Sequence, residues 1–309
     1  MSFSLATIRE AGRPTAVLTV DGRHYRIADV APSVLAGDSR GGLLAVLQRW
    51  GESEPELIEA ADRLARNPHE YPDVVSPASL DDWLTPLQYP SKVICTGFNY
   101  RDHVTRDAGR GNFIKEDNVP VFFLKPPTTT LVGQGRSVRY PAQSTQLDYE
   151  VELAVIIGRR GRRIALERAK DHVAGYAIAI DLSARDWQRH PKHVAKFDLF
   201  GGKAFDDSCP LGPAIVPARF VDEQNLQLQF RLNGAVRQDA STSDMIWSIP
   251  EQIARISEHV TLEPGDLILT GTPAGVGLST GTWLSAGDRL EGRITGLGSL
   301  QVEIIDDGQ

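Results

Sequence analysis

Between Asp148 and Asp181 the chain reads DYEVELAVIIGRRGRRIALERAKDHVAGYAIAID, and its acids stand where chemistry could use them. The first half alternates: Glu150, Glu152 and Ala154 fall on one face and Val151, Leu153 and Val155 on the other, which is the period of a strand. Two carboxylates projecting from the same side repel each other unless something positive sits between them. The apolar run GYAIAI then delivers a third acid, Asp181, at a strand end. Glu150, Glu152 and Asp181 are all hard oxygen donors, with no Cys or His among them. That set suits Mg²⁺ or Mn²⁺, with positions left for water or substrate. An E-x-E alone reads more simply as a solvated strand edge, and the third acid is what argues against that.

Other reactive side chains are spread along the same half of the chain. KVICTGFNYRDHVTRDAG begins as a buried strand, Val93 to Thr96, and breaks at Gly97 into a polar turn that holds His103 among Asp102, Arg106 and Asp107. A histidine close to a carboxylate just after a strand end is a common way to orient a general base, and it is also a common structural arrangement. Lys125 follows an apolar run and precedes two prolines that prevent a helix, so it is either a strand-end cation or a group facing an anionic substrate. Arg185 and Gln188 share a face with Asp181 if the segment DLSARDWQ is helical. Lys203 follows a Gly-Gly pair that permits close approach of backbone to a ligand. GTPAGVG, at 271–277, lacks the Lys-Ser/Thr of a phosphate loop; it reads as a close-approach loop at a site wall, which makes Thr272 a substrate-binding candidate. His24, His69, His190 and His193, and the basic run at 159–163, read as solvated.

The elements that must carry these residues are mostly strands. The 309 residues, of net charge −7, contain no long basic stripe, which argues against a nucleic-acid partner. No apolar run reaches the roughly 18–20 residues of a membrane span, and the N-terminus lacks a secretory pattern. Cys95 and Cys209 stand far apart and form no disulfide framework, which fits a reducing cytoplasm. A hairpin (AVLTV, a DG turn, HYRIADV) and helices near 42–50 and 54–66 suggest a small N-terminal α+β domain over 1–88. A Pro-bearing linker at 76–92 then leads to the domain at 89–309, with an NG hairpin, a helix from Ser248 and two closing strands.

With these residues in view, the second domain resembles the fumarylacetoacetate hydrolase family from about Lys92 to Ile305. The resemblance is carried, in order, by GFNYRDH, PVFFLKPP, DYEVELAVIIG, GYAIAIDLSARDWQ, GKAFDDSCPLGP, RQDASTSDMIWSIPEQIARIS and GDLILTGTPAGVG. It implies an α+β, β-rich fold with a rolled mixed sheet, usually in a homodimer, and a Mg²⁺ or Mn²⁺ site for 2-oxo acids. By position it implies Glu150, Glu152 and Asp181 as metal ligands, His103 as the catalytic histidine, and Arg185, Gln188 and Lys203 as groups that hold substrate oxygens. Many members carry an acid three residues after the histidine; here that place is Arg106, and the acid comes at Asp107, as if one residue had been inserted. Either a shifted turn lets Asp107 serve, or the dyad is absent. The activity expected first is hydrolysis of a C–C bond in an acylpyruvate, as in aromatic catabolism. Decarboxylation or keto–enol isomerisation of a 2-oxo dicarboxylate, or metal binding without catalysis, are the alternatives.

Overall fold

The computed structural model describes residues 2–35, 42–72, 82–109 and 111–307. Its strands are β1 (Ser4–Glu10), β2 (Arg13–Val20), β3 (Arg23–Arg26), β4 (Val93–Gly97), β5 (Val121–Lys125), β6 (Leu131–Val132), β7 (Ser137–Arg139), β8 (Leu147–Asp148), β9 (Val151–Ile157), β10 (Val173–Ile180), β11 (Ser183–Ala184), β12 (Cys209–Pro217), β13 (Gln227–Leu232), β14 (Ala235–Ser241), β15 (Leu267–Leu269), β16 (Arg289–Ile294) and β17 (Gly298–Ile305). The larger sheet runs β3-β2-β1-β12-β10-β9-β15-β4-β5, with β6 beside β12, and a second runs β14-β13-β16-β17-β7. Most pairs are antiparallel, but β15 with β4, β12 with β6 and β17 with β7 are parallel, so the architecture is a mixed, strand-rich α+β fold.

Every residue of β9 and β10 is buried, because both faces of these central strands are covered. Along β9, Val151, Leu153 and Val155 face a core shared with Leu228, Phe230 and Leu300 of the second sheet. Ala154 and Ile156 face the other way, into a core with Leu57 and Leu64 of the helix Trp50–Arg66. The alternation in the sequence is therefore an alternation between two cores rather than between core and solvent. The sheets approach closely at Gly292, where a Cβ would stand 3.1 Å from Val151 Cγ2.

Sheet and core both run across the boundary expected near residue 88. β1 pairs with β12, with Leu5 opposite Ile215, and Leu5, Leu18 and Val46 share one cluster with Val93 and Ala154. Of the linker expected at 76–92, residues 76–81 lie outside the described residues. The β2–β3 hairpin forms at Asp21-Gly22, both at positive φ, as the DG pair demands. The helix Ile249–His259 begins at Ser248 with a capping box to Glu251.

The large sheet is rolled, and Lys125 at the end of β5 fastens the roll. Its ammonium donates to the carbonyls of Leu182, Lys203 and Ser208 and to Ser208 Oγ, beyond β10 and ahead of β12, strands remote from β5 in the sheet order. It also lies 2.7 Å from Asp181 Oδ1, and the side chain is fully buried. Lys125→Met should therefore cost about 3–5 kcal/mol, the range for breaking one member of a buried ion pair. Urea denaturation checks this, and an unchanged midpoint would show that Lys125 does not hold the roll.

Candidate active site

Strand register brings the three acids together. Ile180 of β10 stands opposite Val151 of β9, so Asp181 arrives beside Glu150, and its amide donates to the Glu150 carbonyl at 2.8 Å. One ligand oxygen from each of Glu150, Glu152 and Asp181 lies within 4.8 Å of the others, and all three residues are buried.

Around them runs a line of buried charges of alternating sign. Lys125 stands 2.7 Å from Asp181 Oδ1, and Lys203 Nζ donates to Asp181 Oδ2 at 2.7 Å and to Glu150 Oε2 at 2.6 Å. Arg185 continues the line, donating to Glu150 Oε1 at 2.5 Å and to Asp148 Oδ2 at 2.7 Å. Asp148 ends it, accepting from the amides of Tyr149, Gly277 and Leu278. Burial works against the charge on Glu150, but Lys203 and Arg185 outweigh it and hold the carboxyl below its ordinary pKa. Glu152 stands beside this line. Burial pushes its pKa well above the carboxylate range, Asp181 and Glu150 push it further, and the Gly271 amide, donating to Oε2 at 2.7 Å, offsets this only in part.

Four buried acids, Asp148, Glu150, Glu152 and Asp181, thus face three buried cations, Lys125, Arg185 and Lys203. The unmatched negative charge falls on Glu152. A divalent cation fits that deficit, and the donors fit the cation: all are carboxylates, each with about four acceptor sites when ionised.

Across from the acids, His103 Nδ1 and Asp107 Oδ2 are 3.0 Å apart, with both side chains nearly buried. Residues His103–Asp107 form a π-helical turn in which the Ala108 amide donates to the His103 carbonyl five residues back. A single extra residue in a helical turn produces that bond pattern. The displaced acid is therefore absorbed as a π turn, which carries Asp107 to His103 and leaves Arg106 in solvent against Asp102. The Gly275 amide also donates to Asp107 Oδ2, at 3.1 Å. Burial raises the Asp107 pKa, but its bonds with His103, Ser279 and Gly275 outweigh that and hold it below its ordinary value.

His103, the three acids, Arg185, Gln188, Lys203 and Thr272 all border one cavity of about 40 Å³, room for about three waters. Phe98, Val121, Phe123, Phe197, Leu199 and Leu278 supply its apolar walls. Two expectations change. Lys125 does not border the cavity; its ammonium is taken up by Asp181, Ser208 and the carbonyls of Leu182 and Lys203. Arg185 and Gln188 occupy a short helical turn, Arg185–Gln188, which begins only after β11 has paired with β8, so Asp181 shares no helix face with them. Thr272 Oγ1 is bound within the wall, donating to the Val151 carbonyl and accepting from Gln238 Nε2.

Asp148, Gln238 and the loop amides escaped the sequence reading. For Asp148 a signal existed, since D-Y-E-V-E puts it on the same period-two face as Glu150 and Glu152. For Gln238 and the amides at Gly271, Gly275 and Gly277 there is none, because Val151, Glu152, Asp107 and Asp148, which they bind in that order, lie 87 to 168 residues away.

Residues 92–305 match the family model of the fumarylacetoacetate (FAA) hydrolase C-terminal domain. Among curated proteins, the chain is 43% identical over 224 residues to oxaloacetate tautomerase YisK of Bacillus subtilis, covering 71% of each. Among solved structures, it is similar to a fumarylacetoacetate hydrolase of Exiguobacterium antarcticum (TM-score 0.78, 31% identity, 98% and 99% covered). A fumarylpyruvate hydrolase of Pseudomonas aeruginosa, in complex with Mn²⁺ and pyruvate, is also similar (TM-score 0.63, 34% identity, 75% and 94% covered). With the motifs, the fold and the buried acidic triad in agreement, the chain belongs to the fumarylacetoacetate hydrolase family.

Proposed function

We propose that the protein is a Mg²⁺- or Mn²⁺-dependent enzyme that interconverts the keto and enol forms of a small 2-oxo dicarboxylate of the oxaloacetate class. The observation that carries this reading is that His103, held by Asp107, borders the same cavity as the three-acid cluster. The likeness to an oxaloacetate tautomerase supports it. Hydrolysis of an acylpyruvate C–C bond, the activity expected first, is the second reading. It is favoured by the same dyad, since a base that takes a proton from carbon also takes one from water, and by the likeness to a fumarylpyruvate hydrolase.

Glu150, Glu152 and Asp181 would hold the ion, which supplies Lewis-acid stabilisation of negative charge on the 2-oxo oxygen. The chain's own groups do the rest. Asp107 holds the His103 Nδ1–H and so leaves Nε2 to exchange a proton with the carbon next to the 2-oxo group. Lys203 and Arg185 place positive charge beside Glu150, where anionic character builds up. The apolar walls limit water, which favours returning the proton over attack by hydroxide. We further propose a homodimer, as the family resemblance implies, and a reducing compartment, in line with the free, buried Cys95 and Cys209.

A metal-supplemented assay with enol-oxaloacetate and acetylpyruvate in parallel tests the two readings. Accelerated ketonisation with acetylpyruvate left intact supports the first, and acetylpyruvate cleavage supports the second. Protein that binds Mn²⁺ and does neither would sink both. Glu152→Gln removes the unmatched charge, so it should raise the stability of the metal-free protein while weakening Mn²⁺ by at least about 10–100-fold. Mn²⁺ titration followed by electron paramagnetic resonance reads the loss, and undiminished affinity would overturn the metal assignment. His103→Gln should lower kcat by about 10²–10⁴-fold with Mn²⁺ affinity retained.

Asp107→Asn tests the dyad through pH. A carboxyl whose folded pKa is lowered gives stability that is complete above its unfolded value, about 3.9, and lost as pH falls through the lower folded value. At neutral pH the variant should be less stable by about 1.5–3 kcal/mol, the scale of a hydrogen bond to a charged group. Urea midpoints of the two proteins should converge as the pH is taken below the ordinary carboxylate range. A gap that stays constant with pH would show that Asp107 is not held as the anion.

A further inference from the structure

Phe98 has a φ of +59°, in the left-handed region that a ring-bearing residue rarely adopts. The residues on either side of it are firmly placed. On one side Gly97 ends β4. On the other, Asn99 is fully buried and anchored at both ends of its amide: Nδ2 donates to the carbonyls of Trp247 and Thr270, and Oδ1 accepts from the Trp247 amide. The Asn99 carbonyl accepts from Ile246 N–H at 2.7 Å. Gly271 closes the space behind, since a Cβ there would meet Asn99 Cβ at 2.7 Å.

Strain held by so many contacts has a use when it aims a side chain that could not otherwise reach its place. Here it turns the Phe98 ring over His103, with centroids 6.2 Å apart and planes inclined by 22°, and into the cavity wall. Asp107 holds His103 by one ring nitrogen, and a single hydrogen bond leaves the ring free to tilt about it. The offset, near-parallel Phe98 ring beside it restricts that freedom.

We propose that Phe98 is a positioning and selectivity residue: its ring fixes the plane of the His103 imidazole and closes the cavity against longer 2-oxo acids. The selectivity half rests on the enolisation reading, whereas the positioning half does not.

The test uses the full-length protein with Mg²⁺ and three variants. Phe98→Asn and Phe98→Gly remove the ring but accept positive φ, so that if one fails to fold the other remains. Phe98→Tyr keeps the ring. In the wild type and Phe98→Tyr, the carbon-bound ring protons of His103 should be shifted by the aromatic neighbour and sharp in NMR spectra. In the ringless variants they should move toward unperturbed positions and broaden. Kinetically, kcat on oxaloacetate should fall by about 10–100-fold in the ringless variants, the scale of a misplaced catalytic group. KM and Mn²⁺ affinity should hold, Phe98→Tyr should restore kcat, and the relative rate on 2-oxo acids with longer chains should rise. His103 resonances unmoved in a folded ringless variant would overturn the positioning role. Moved resonances with kcat and chain-length preference unchanged would overturn its functional meaning. A wild type that turns over no 2-oxo acid would defeat the enolisation reading and the selectivity half with it, leaving the resonances to decide the positioning half.

Discussion

The catalytic half of the molecule depends on the alternation of charge along one buried line, Lys125, Asp181, Lys203, Glu150, Arg185 and Asp148. Each ion taken out of water carries a penalty of several kcal/mol, met only if both neighbours stay in place. The line therefore behaves as a unit: moving an inner member strands two others, and moving an end member strands one. It also couples fold to site, because the ammonium of Lys125 that neutralises Asp181 is the group that fastens β5 to the strands across the roll. With three cations and three anions the line is balanced, and Glu152, outside it, is the reason the centre calls for one more cation.

A second constraint ties the line to the dyad. The loop from Gly271 to Leu278 donates backbone amides to Glu152, Asp107 and Asp148, three acids on three different elements. Backbone donors hold position better than side chains, since they have no rotamers of their own. The loop can come this close only because Gly275 and Gly277 lack Cβ atoms, which would meet the carbonyls of Arg237 at 2.1 Å and Thr282 at 2.3 Å. The spacing between the His103–Asp107 pair and the buried acids is thus set by one backbone template rather than by independent contacts.

Local chemistry made much of this legible. The D-Y-E-V-E alternation, the strand ending at Asp181, the DG and NG hairpins and the capped helix at Ser248 all follow from spacing and turn chemistry, and they appear where the residues ask for them. Lys125 was harder, because a lysine after a strand and before two prolines looks the same whether it faces a ligand or a ring of carbonyls. Only the roll decides, and the roll is long-range. The same holds for β1, which finds its partner in β12 some 200 residues on, and for Gln238, whose amide spans Val151 and Thr272. The short turn Arg185–Gln188 was misread because the β8–β11 pairing that delays it involves only two residues on each side.

The acid after His103 shows why spacing and geometry must be kept apart. In a regular α-helix, positions three and four residues on flank the first residue from opposite sides, so an extra residue swings the carboxyl by about 100° round the axis. The π turn widens the loop by one residue, so Asp107 returns to the face that a regular turn would have given to position 106. The pairing is thus kept by bending the backbone rather than by keeping the spacing. Such a dyad offers one basic nitrogen and says nothing about whether carbon or water gives up the proton. That choice passes to what else the cavity admits, and Phe98, Phe123, Phe197 and Leu199 line it beside the charged groups. The two readings of this site therefore share one base and one acidic cluster, and they part at the apolar residues that line the cavity beside them.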